Sequence, residues 1–233
     1  MINISLQNMD CLKIEDEWNF SNDTENLMHT IHTYPAKFPA FIAKKAFDYA
    51  EAEGVTIKKV ADIFCGCGTV ALEAEIHNKD FWGCDINPVA TLIAKVKSER
   101  YDIAIIKKFF SLISNTYKES EISETIYDNA NERLKYWFTP KSYAQLFRLK
   151  SAIESNVHDE KYLNAFYCLF SSILKSCSKW LTKSIKPQID PNKKELVVWD
   201  AFELQYNKFV HAIEQINVLD NLDSSIVIRN ENF

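Results

Sequence analysis

Two acidic residues and a glycine turn stand together between Val60 and Asp85. Asp62 is followed by Phe64-Cys65-Gly66-Cys67-Gly68-Thr69, and Asp85 comes 19 positions after Gly66. Glycine permits positive φ angles and lets a ligand approach the backbone closely. A carboxylate about 20 residues after such a turn suits the hydroxyl groups of a ribose. The spacing therefore predicts a site for a ligand that contains a nucleoside.

Short strands and a helix must position these residues. Val60 to Phe64 is an apolar run that predicts a buried parallel strand, and Phe81 to Cys84 predicts the next strand. Val70 to His77, apolar at helical spacing, predicts a helix between them. Ligands of open α/β sheets lie at the carboxyl ends of the strands. We therefore expect Asp85 at that edge of the sheet.

The glycine turn differs from the loops that bind phosphate. A dinucleotide-binding loop reads G-x-G-x-x-G and a P-loop ends in G-K-S/T, whereas this turn reads C-G-C-G-T. The sequence therefore disfavours a nicotinamide oxidoreductase. The alternative to a ligand site is an ordinary α/β unit, in which the glycine turn only connects a strand to a helix.

Three motifs together resemble one enzyme family. The stretch D-I-F-C-G-C-G-T-V, from Asp62 to Val70, resembles the D-x-F-x-G-x-G-T loop of S-adenosylmethionine-dependent amino-methyltransferases of DNA. The stretch H-T-Y-P-A-K-F-P before it and D-I-N-P after it are similar to further motifs of that family. The resemblance implies a Rossmann-like class I methyltransferase sheet of three layers, truncated before the catalytic motif, with a helical insertion. It also implies S-adenosyl-L-methionine as cofactor.

The resemblance assigns a role to each motif. Asp62 would hold the cationic amino group of the cofactor, Asp85 the ribose, and Ile86 would pack on the adenine. An acidic residue after the third strand binds adenine in the family, but here Asn232 stands at that position beside Glu231. The cofactor-binding residues implied are Tyr34, Pro35, Ala36, Lys37, Phe38, Asp62, Phe64, Cys65, Gly66, Cys67, Gly68, Thr69, Asp85, Ile86, Asn230, Glu231 and Asn232.

The catalytic motif of the family is not found in the sequence. Methyl transfer to an exocyclic amine uses a D/N/S-P-P-Y/F/W loop that holds the flipped base, and the chain has no Pro-Pro dipeptide. We therefore expect no catalytic residue here and a split enzyme, in which a partner chain carries this loop and the target-recognition domain. The alternatives are a fragment, an inactive scaffold or regulatory subunit with this fold, and a subunit of an RNA amino-methyltransferase.

The net charge of the chain supports a partner chain that makes most of the contacts with DNA. Its net charge is −5 with a pI near 5.6, whereas proteins that grip DNA alone usually present a strongly basic surface. The partner would therefore supply the main contact with double-stranded DNA. The basic loop from Ser178 to Glu195 is either a solubilising loop or a phosphate contact through Lys179, Lys183 and Lys186.

The six cysteines show neither a disulfide framework nor the paired spacing of a zinc site. We therefore expect reduced thiols, no metal and a cytoplasmic protein. No apolar run approaches the length of a membrane span.

The chain divides into four predicted regions. Residues 1–30 form an N-terminal arm anchored by Trp18 and Phe20, and residues 31–100 form the cofactor-binding core. Residues 101–195 form the helical insertion with the basic loop, and residues 196–233 add a helix from Leu196 and a strand from Ser225. A helix is also expected just after Pro39, and the aromatic run 136–138 is expected in the core.

Overall fold

The computed structural model describes residues 24–35, 37–181, 184, 186–219 and 223–232. Residues 1–23 of the predicted arm, including Trp18 and Phe20, lie outside the described residues. Two predicted site residues, Ala36 and Lys183, also lie outside them. The boundaries of the four regions remain a prediction.

The described elements are three strands and a larger set of helices. The strands are β1 (Lys59–Asp62), β2 (Asp80–Cys84) and β3 (Ile226–Arg229). The helices are α1 (Ala40–Ala52), α2 (Thr69–Ile76), α3 (Pro88–Lys97), α4 (Ile103–Glu119), α5 (Glu132–Trp137), α6 (Pro140–Asn156), α7 (Glu160–Ile173) and α8 (Val198–Asn217), with 3₁₀ helices at Leu27–Thr30 and Glu124–Asn129.

The three strands form one parallel sheet in the order β1-β2-β3. Val60 and Phe81 are in register with Ile226 and lie in one apolar cluster with residues of α1 and α2. The opposite face keeps Ala61 and Val227 exposed. The α/β class is confirmed, but the described residues do not complete the three layers that the resemblance implies.

The prediction for the first strand was wrong in its bounds and burial. The strand ends at Asp62, whose Oδ1 accepts the Phe64 N–H at 3.0 Å and so turns the chain out of the sheet. Phe64 is 80% exposed in this turn. Lys59 and Ala61 are exposed as well, because they lie on the face of the sheet opposite the one that packs on α1 and α2.

The long stretch between β2 and β3 is helical, as predicted. Helix α3 begins at Pro88 with the Asn87 side chain accepting the Val89 N–H, which suits a helix N-terminus. Helices α4, α6, α7 and α8 share one apolar core, in which the rings of Phe110 and Tyr206 stack 3.6 Å apart. No described helix is long and apolar enough to span a membrane.

The aromatic run before α6 is core only in part. Phe138 is buried and Trp137 packs against the core, as expected. Tyr136, however, is 54% exposed, because successive residues of the short helix α5 point to different sides.

Candidate functional site

The turn between β1 and α2 depends on its glycines. Gly66 has φ 50° and Gly68 has φ 74°, in the left-handed region that favours glycine. A Cβ atom on Gly68 would lie 2.6 Å from the Cβ of Ala94. Glycine at position 68 therefore lets the start of α2 approach α3 more closely than a residue with a side chain would allow.

The carboxylate of Asp85 joins the loops that follow β1 and β2. Its Oδ2 accepts the Gly66 N–H at 3.0 Å and its Oδ1 accepts the Asn87 N–H at 2.8 Å. The Cys65 N–H donates to the Cys84 carbonyl at 3.0 Å. Each carboxylate oxygen can accept a second hydrogen bond, so Asp85 holds the loops and can still accept from a ligand hydroxyl.

The residues before Pro39 form a wall beside the glycine turn. The Asn87 amide donates to the Tyr34 hydroxyl at 3.1 Å, which ties this wall to the loop after β2. Lys37 pairs with Glu25 at 2.5 Å. Although burial opposes it, the hydrogen bonds from Lys37 and from the Ala40 N–H lower the pKa of Glu25. The wall is therefore held by charged contacts within the chain.

Wall and turn enclose a cleft of about 310 Å³. Nearly all of its lining was predicted from the sequence. The lining residues are Tyr34, Lys37, Phe38, Asp62, Phe64, Cys65, Gly66, Cys67, Thr69 and Val70.

One residue that lines the cleft has a polar atom without a partner. The hydroxyl of Thr69, at the first position of α2, is buried and makes no hydrogen bond. No side chain caps this end of α2. A buried hydroxyl without a partner costs free energy, and a ligand that bonds to it would recover that cost.

These groups fit S-adenosylmethionine. Asp62, which lines the cleft, would suit its ammonium group, and Asp85, which bonds to the turn but is not among the lining residues, would offer an acceptor to its ribose hydroxyls. The Thr69 hydroxyl and the uncapped N–H groups of α2 suit its carboxylate. The aromatic rings of Tyr34 and Phe38 add apolar surface to the cleft.

Other predicted site residues lie beside the cleft. Ile86 is 71% exposed and so is free to cover a flat ring. Asn230 donates to the Asp85 carbonyl at 2.9 Å, a contact that positions the loop. Glu231 lies 3.7 Å from Arg229. Asn232 and Pro35 are exposed, and the structure assigns them no contact with the cleft.

The thiols near the turn are not arranged for metal binding. Burial, together with the carboxylates of Asp62 and Asp85, raises the pKa of the Cys65 thiol to about 12, and metals bind the thiolate. Among the described residues, no group of three His, Cys, Asp or Glu side chains could hold an ion.

Sequence reasoning missed a buried lysine under the turn. Lys97 of α3 has no exposed surface, and its Nζ lies 3.6 Å from the Cys67 sulfur. It follows the apolar positions Ile93 and Val96 on the buried side of α3. Its place one turn after Ile93 was the available signal, but a lysine at that position is usually assumed to reach solvent.

The predicted DNA-contacting lysines have different environments. Lys179 is half-buried and its Nζ donates to the Lys135 carbonyl at 3.1 Å. Lys186 is exposed. His32, expected to be structural, has its ring nitrogens 3.1 Å from the Thr33 carbonyl and from the Ser171 hydroxyl.

Comparison with known proteins gives relatives but no family model. No family model matches the chain, and no solved structure matches it significantly. The Type II methyltransferase M.MvaI of Kocuria varians is 26% identical over 211 residues, which are 87% of this chain and 45% of that protein. The Type II methyltransferase M.MjaII of Methanocaldococcus jannaschii is 26% identical over 157 residues, 63% of this chain and 28% of that protein.

The chain thus spans less than half the length of these two curated relatives. The match to M.MvaI extends over most of this chain, well beyond the glycine turn and its flanking strands. By sequence, this chain is similar to Type II methyltransferases.

Proposed function

We propose that this chain binds S-adenosylmethionine in the cleft and forms the cofactor-binding part of a DNA methyltransferase. The observation that carries the proposal is the cleft itself, where the wall, the glycine turn and the unpartnered Thr69 hydroxyl meet. The similarity to Type II methyltransferases supports it. The acceptor would be an exocyclic amine, N6 of adenine or N4 of cytosine, in line with the family that the motifs resemble.

The residues of this chain would bind and orient the cofactor, whose sulfonium supplies a methyl group that an amine can attack. Asp62 would pair with the ammonium group, and Asp85 would accept from the ribose. Ile86 would cover the adenine with its exposed side chain. The glycine turn, held by the Gly66–Asp85 hydrogen bond, would keep these groups in one geometry.

A second chain would supply the catalytic loop and the target-recognition domain. The Pro-Pro dipeptide of that loop is missing from the sequence. In the described part of the chain β1 has a free edge beside the cleft. Strands of a partner could pair there, since an exposed edge offers unsatisfied main-chain groups. We therefore propose a heterodimer as the active species.

Calorimetric titration of the purified chain with S-adenosylmethionine tests the first part of the proposal. The variant Thr69→Val removes the unpartnered hydroxyl and should weaken binding about three- to tenfold. Thr91→Val is the matched control, because Thr91 is equally buried but contacts the carbonyls of its own helix. Absence of binding, or equal losses in both variants, would contradict the cofactor site.

Transfer of labelled methyl groups to unmethylated DNA tests the second part. The chain would be assayed alone and with the product of the neighbouring reading frame. Activity only in the mixture, lost on Asp85→Ala, would support the split enzyme. Activity that survives Asp85→Ala would place the cofactor site in the other chain and make this one a scaffold.

A further inference from the structure

We infer that residues 132–141, together with residues 175–181, 184 and 186–195 of a second segment, form one basic surface that contacts the phosphate backbone of double-stranded DNA beside the cofactor cleft. This inference rests on the proposed function, which makes DNA the substrate. It extends the three lysines expected from the sequence to a surface built from two distant segments. We call it the lysine surface.

The charge of the two segments sets them apart from the rest of the chain. Their described residues include eight basic and three acidic side chains, a net charge of +5, whereas the whole chain carries −5. The remainder is therefore strongly acidic and would repel DNA. Phosphate contacts by this chain are therefore favoured at a region of opposite sign such as this one.

Hydrogen bonds hold the two segments against each other. The Lys179 N–H donates to the Trp137 carbonyl at 2.8 Å, and the Thr139 hydroxyl donates to Glu195 at 2.7 Å. The rings of Trp137 and Trp180 stack 5.1 Å apart. The lysines of both segments therefore belong to one surface, although about forty positions separate the segments in sequence.

Some lysines of the surface have a structural role. Lys193 donates from Nζ to the carbonyls of Lys175 and Trp180 at 2.7 and 2.8 Å, and Lys175 donates to the Ser184 carbonyl at 3.0 Å. These ammonium groups hold a segment that has almost no regular secondary structure. Because both ammonium groups donate to neutral carbonyls, no carboxylate is bonded to them to neutralise their positive charge.

Other lysines remain exposed and suited to phosphate. Lys141 lies in the first turn of α6, and Lys186 and Lys194 lie in the loop before α8; all three are exposed. Tyr136, five positions before Lys141, is exposed as well. Lysine ammonium groups bind phosphates as point charges without reading base sequence. This chemistry fits positioning of a duplex, with recognition left to another domain.

The direction of α7 places this surface at the cleft end of the sheet. Helix α3 starts just after the carboxyl end of β2 and ends at Lys97. Lys161, near the start of α7, lies 3.5 Å from Glu99, so α7 starts where α3 ends. Ser171, near the end of α7, contacts His32 at 3.1 Å, two residues before Tyr34 of the cleft wall. The loop that follows α7 therefore begins at the same end of the sheet as the cleft.

Helix α8 gives the same placement independently. Its last residue, Asn217, donates to the Tyr101 carbonyl at 3.2 Å, just after the end of α3. Its start at Val198 therefore lies at the other end, about 30 Å away along a 20-residue helix. The loop between α7 and α8 leaves and returns at the end of the sheet where the glycine turn lies.

Binding of a fluorescein-labelled 30-base-pair duplex to the full chain tests the inference by anisotropy at several salt concentrations. The variant Lys141→Glu/Lys186→Glu/Lys194→Glu should bind at least tenfold more weakly, with a salt slope reduced by about two to three, because each lost phosphate contact removes about 0.9. The control Lys95→Glu/Lys107→Glu/Lys108→Glu changes three exposed lysines of α3 and α4 and should bind within about twofold of wild type.

The outcomes separate this inference from the proposed function. S-adenosylmethionine binding by calorimetry should be unchanged in both triple variants, since neither touches the cleft. Equal weakening in the two variants, no binding of the duplex by wild type at low salt, or tighter binding of RNA of the same length would overturn the inference. A chain that binds the duplex through these lysines but fails to bind the cofactor would contradict the proposed function alone.

Discussion

Asp85 accepts a hydrogen bond from the main-chain N–H of Gly66 at 3.0 Å, so the acid that follows β2 holds the turn that follows β1. The other oxygen of the same carboxylate accepts the Asn87 N–H. One side chain therefore links the turn that lines the cleft to the loop after β2. Its charge and its geometry act together in the proposed cofactor site.

The variant Asp85→Asn should bind S-adenosylmethionine at least about tenfold more weakly, because it removes a charge-assisted acceptor and places an amide donor against a main-chain N–H. Asp80→Asn is the control, at the other end of β2. Its Oδ1 accepts the Ser225 N–H at 3.0 Å far from the cleft. Calorimetry on both variants, with thermal unfolding to confirm folding, decides the matter. Similar affinities in the two variants would remove Asp85 from the site.

Gly68→Ala should destabilise the chain more than Gly54→Ala does. Both glycines have φ above 70°, but a Cβ meets nothing within 4 Å at Gly54 and lies 2.6 Å from the Ala94 Cβ at Gly68. Gly54→Ala should cost about 1 kcal/mol for the left-handed backbone, and Gly68→Ala about 2 to 4 kcal/mol with the added overlap. Urea unfolding measures both. Equal costs would show that α3 yields to the new methyl group.

The Glu75 carboxyl should make the stability of the chain fall as pH rises from about 4.5 to 7. Burial raises the pKa of its carboxyl to about 7 despite Arg100 nearby. The folded chain holds this proton more tightly than the unfolded chain, whose carboxyl titrates near 4.5. The free energy of unfolding therefore decreases from about pH 4.5 to 7, by about 3 kcal/mol at most.

The variant Glu75→Gln should lose this pH dependence. Because it also leaves Arg100 without its partner, the slope of stability against pH is the informative quantity rather than the stability at one pH. Urea unfolding between pH 5 and 8 measures the slope. Glu203→Gln, at an exposed carboxylate of α8, should keep the wild-type slope, and a wild-type slope in Glu75→Gln would contradict the assignment.

Lys97→Met should stabilise the chain at neutral pH by about 1 kcal/mol or more, because it removes a fully buried amine whose described contact is the Cys67 sulfur. Burial lowers the pKa of Lys97 from its ordinary value of 10.5. The unfolded chain therefore holds this proton more tightly, and wild-type stability rises with pH toward that value. The advantage of the variant should shrink between pH 7 and 9.5.

Lys95→Met is the control for this prediction. It lies on the same helix and is exposed, so its effect should be within about 0.5 kcal/mol at both pH values. Thermal unfolding of the three proteins gives the comparison. A loss of stability in Lys97→Met at pH 7 would contradict this prediction. It would indicate that the Lys97 amine makes a stronger contact than the one with the Cys67 thiol.

The βαβ unit and most of the cleft could be predicted because their signals are local. An apolar run, a glycine turn and an acid after the next strand lie within 26 consecutive residues, and backbone conformation there follows from neighbouring residues. The proline-rich wall was predicted by resemblance, and Tyr34, Lys37 and Phe38 indeed line the cleft. The helices were predictable for the same reason, from apolar spacing and capping residues.

Only the tertiary structure decided which side chains reach one another. Three features depend on contacts between elements distant in sequence. They are the Thr69 hydroxyl without a partner, the burial of Lys97 beside Cys67, and the contact between the two lysine-bearing segments. Local patterns carry no information on such contacts, because they arise when helices and strands pack. The sequence by itself therefore predicted most of the elements and the glycine turn with its acid, whereas the packing of those elements decided which charged and polar groups lie near the cleft.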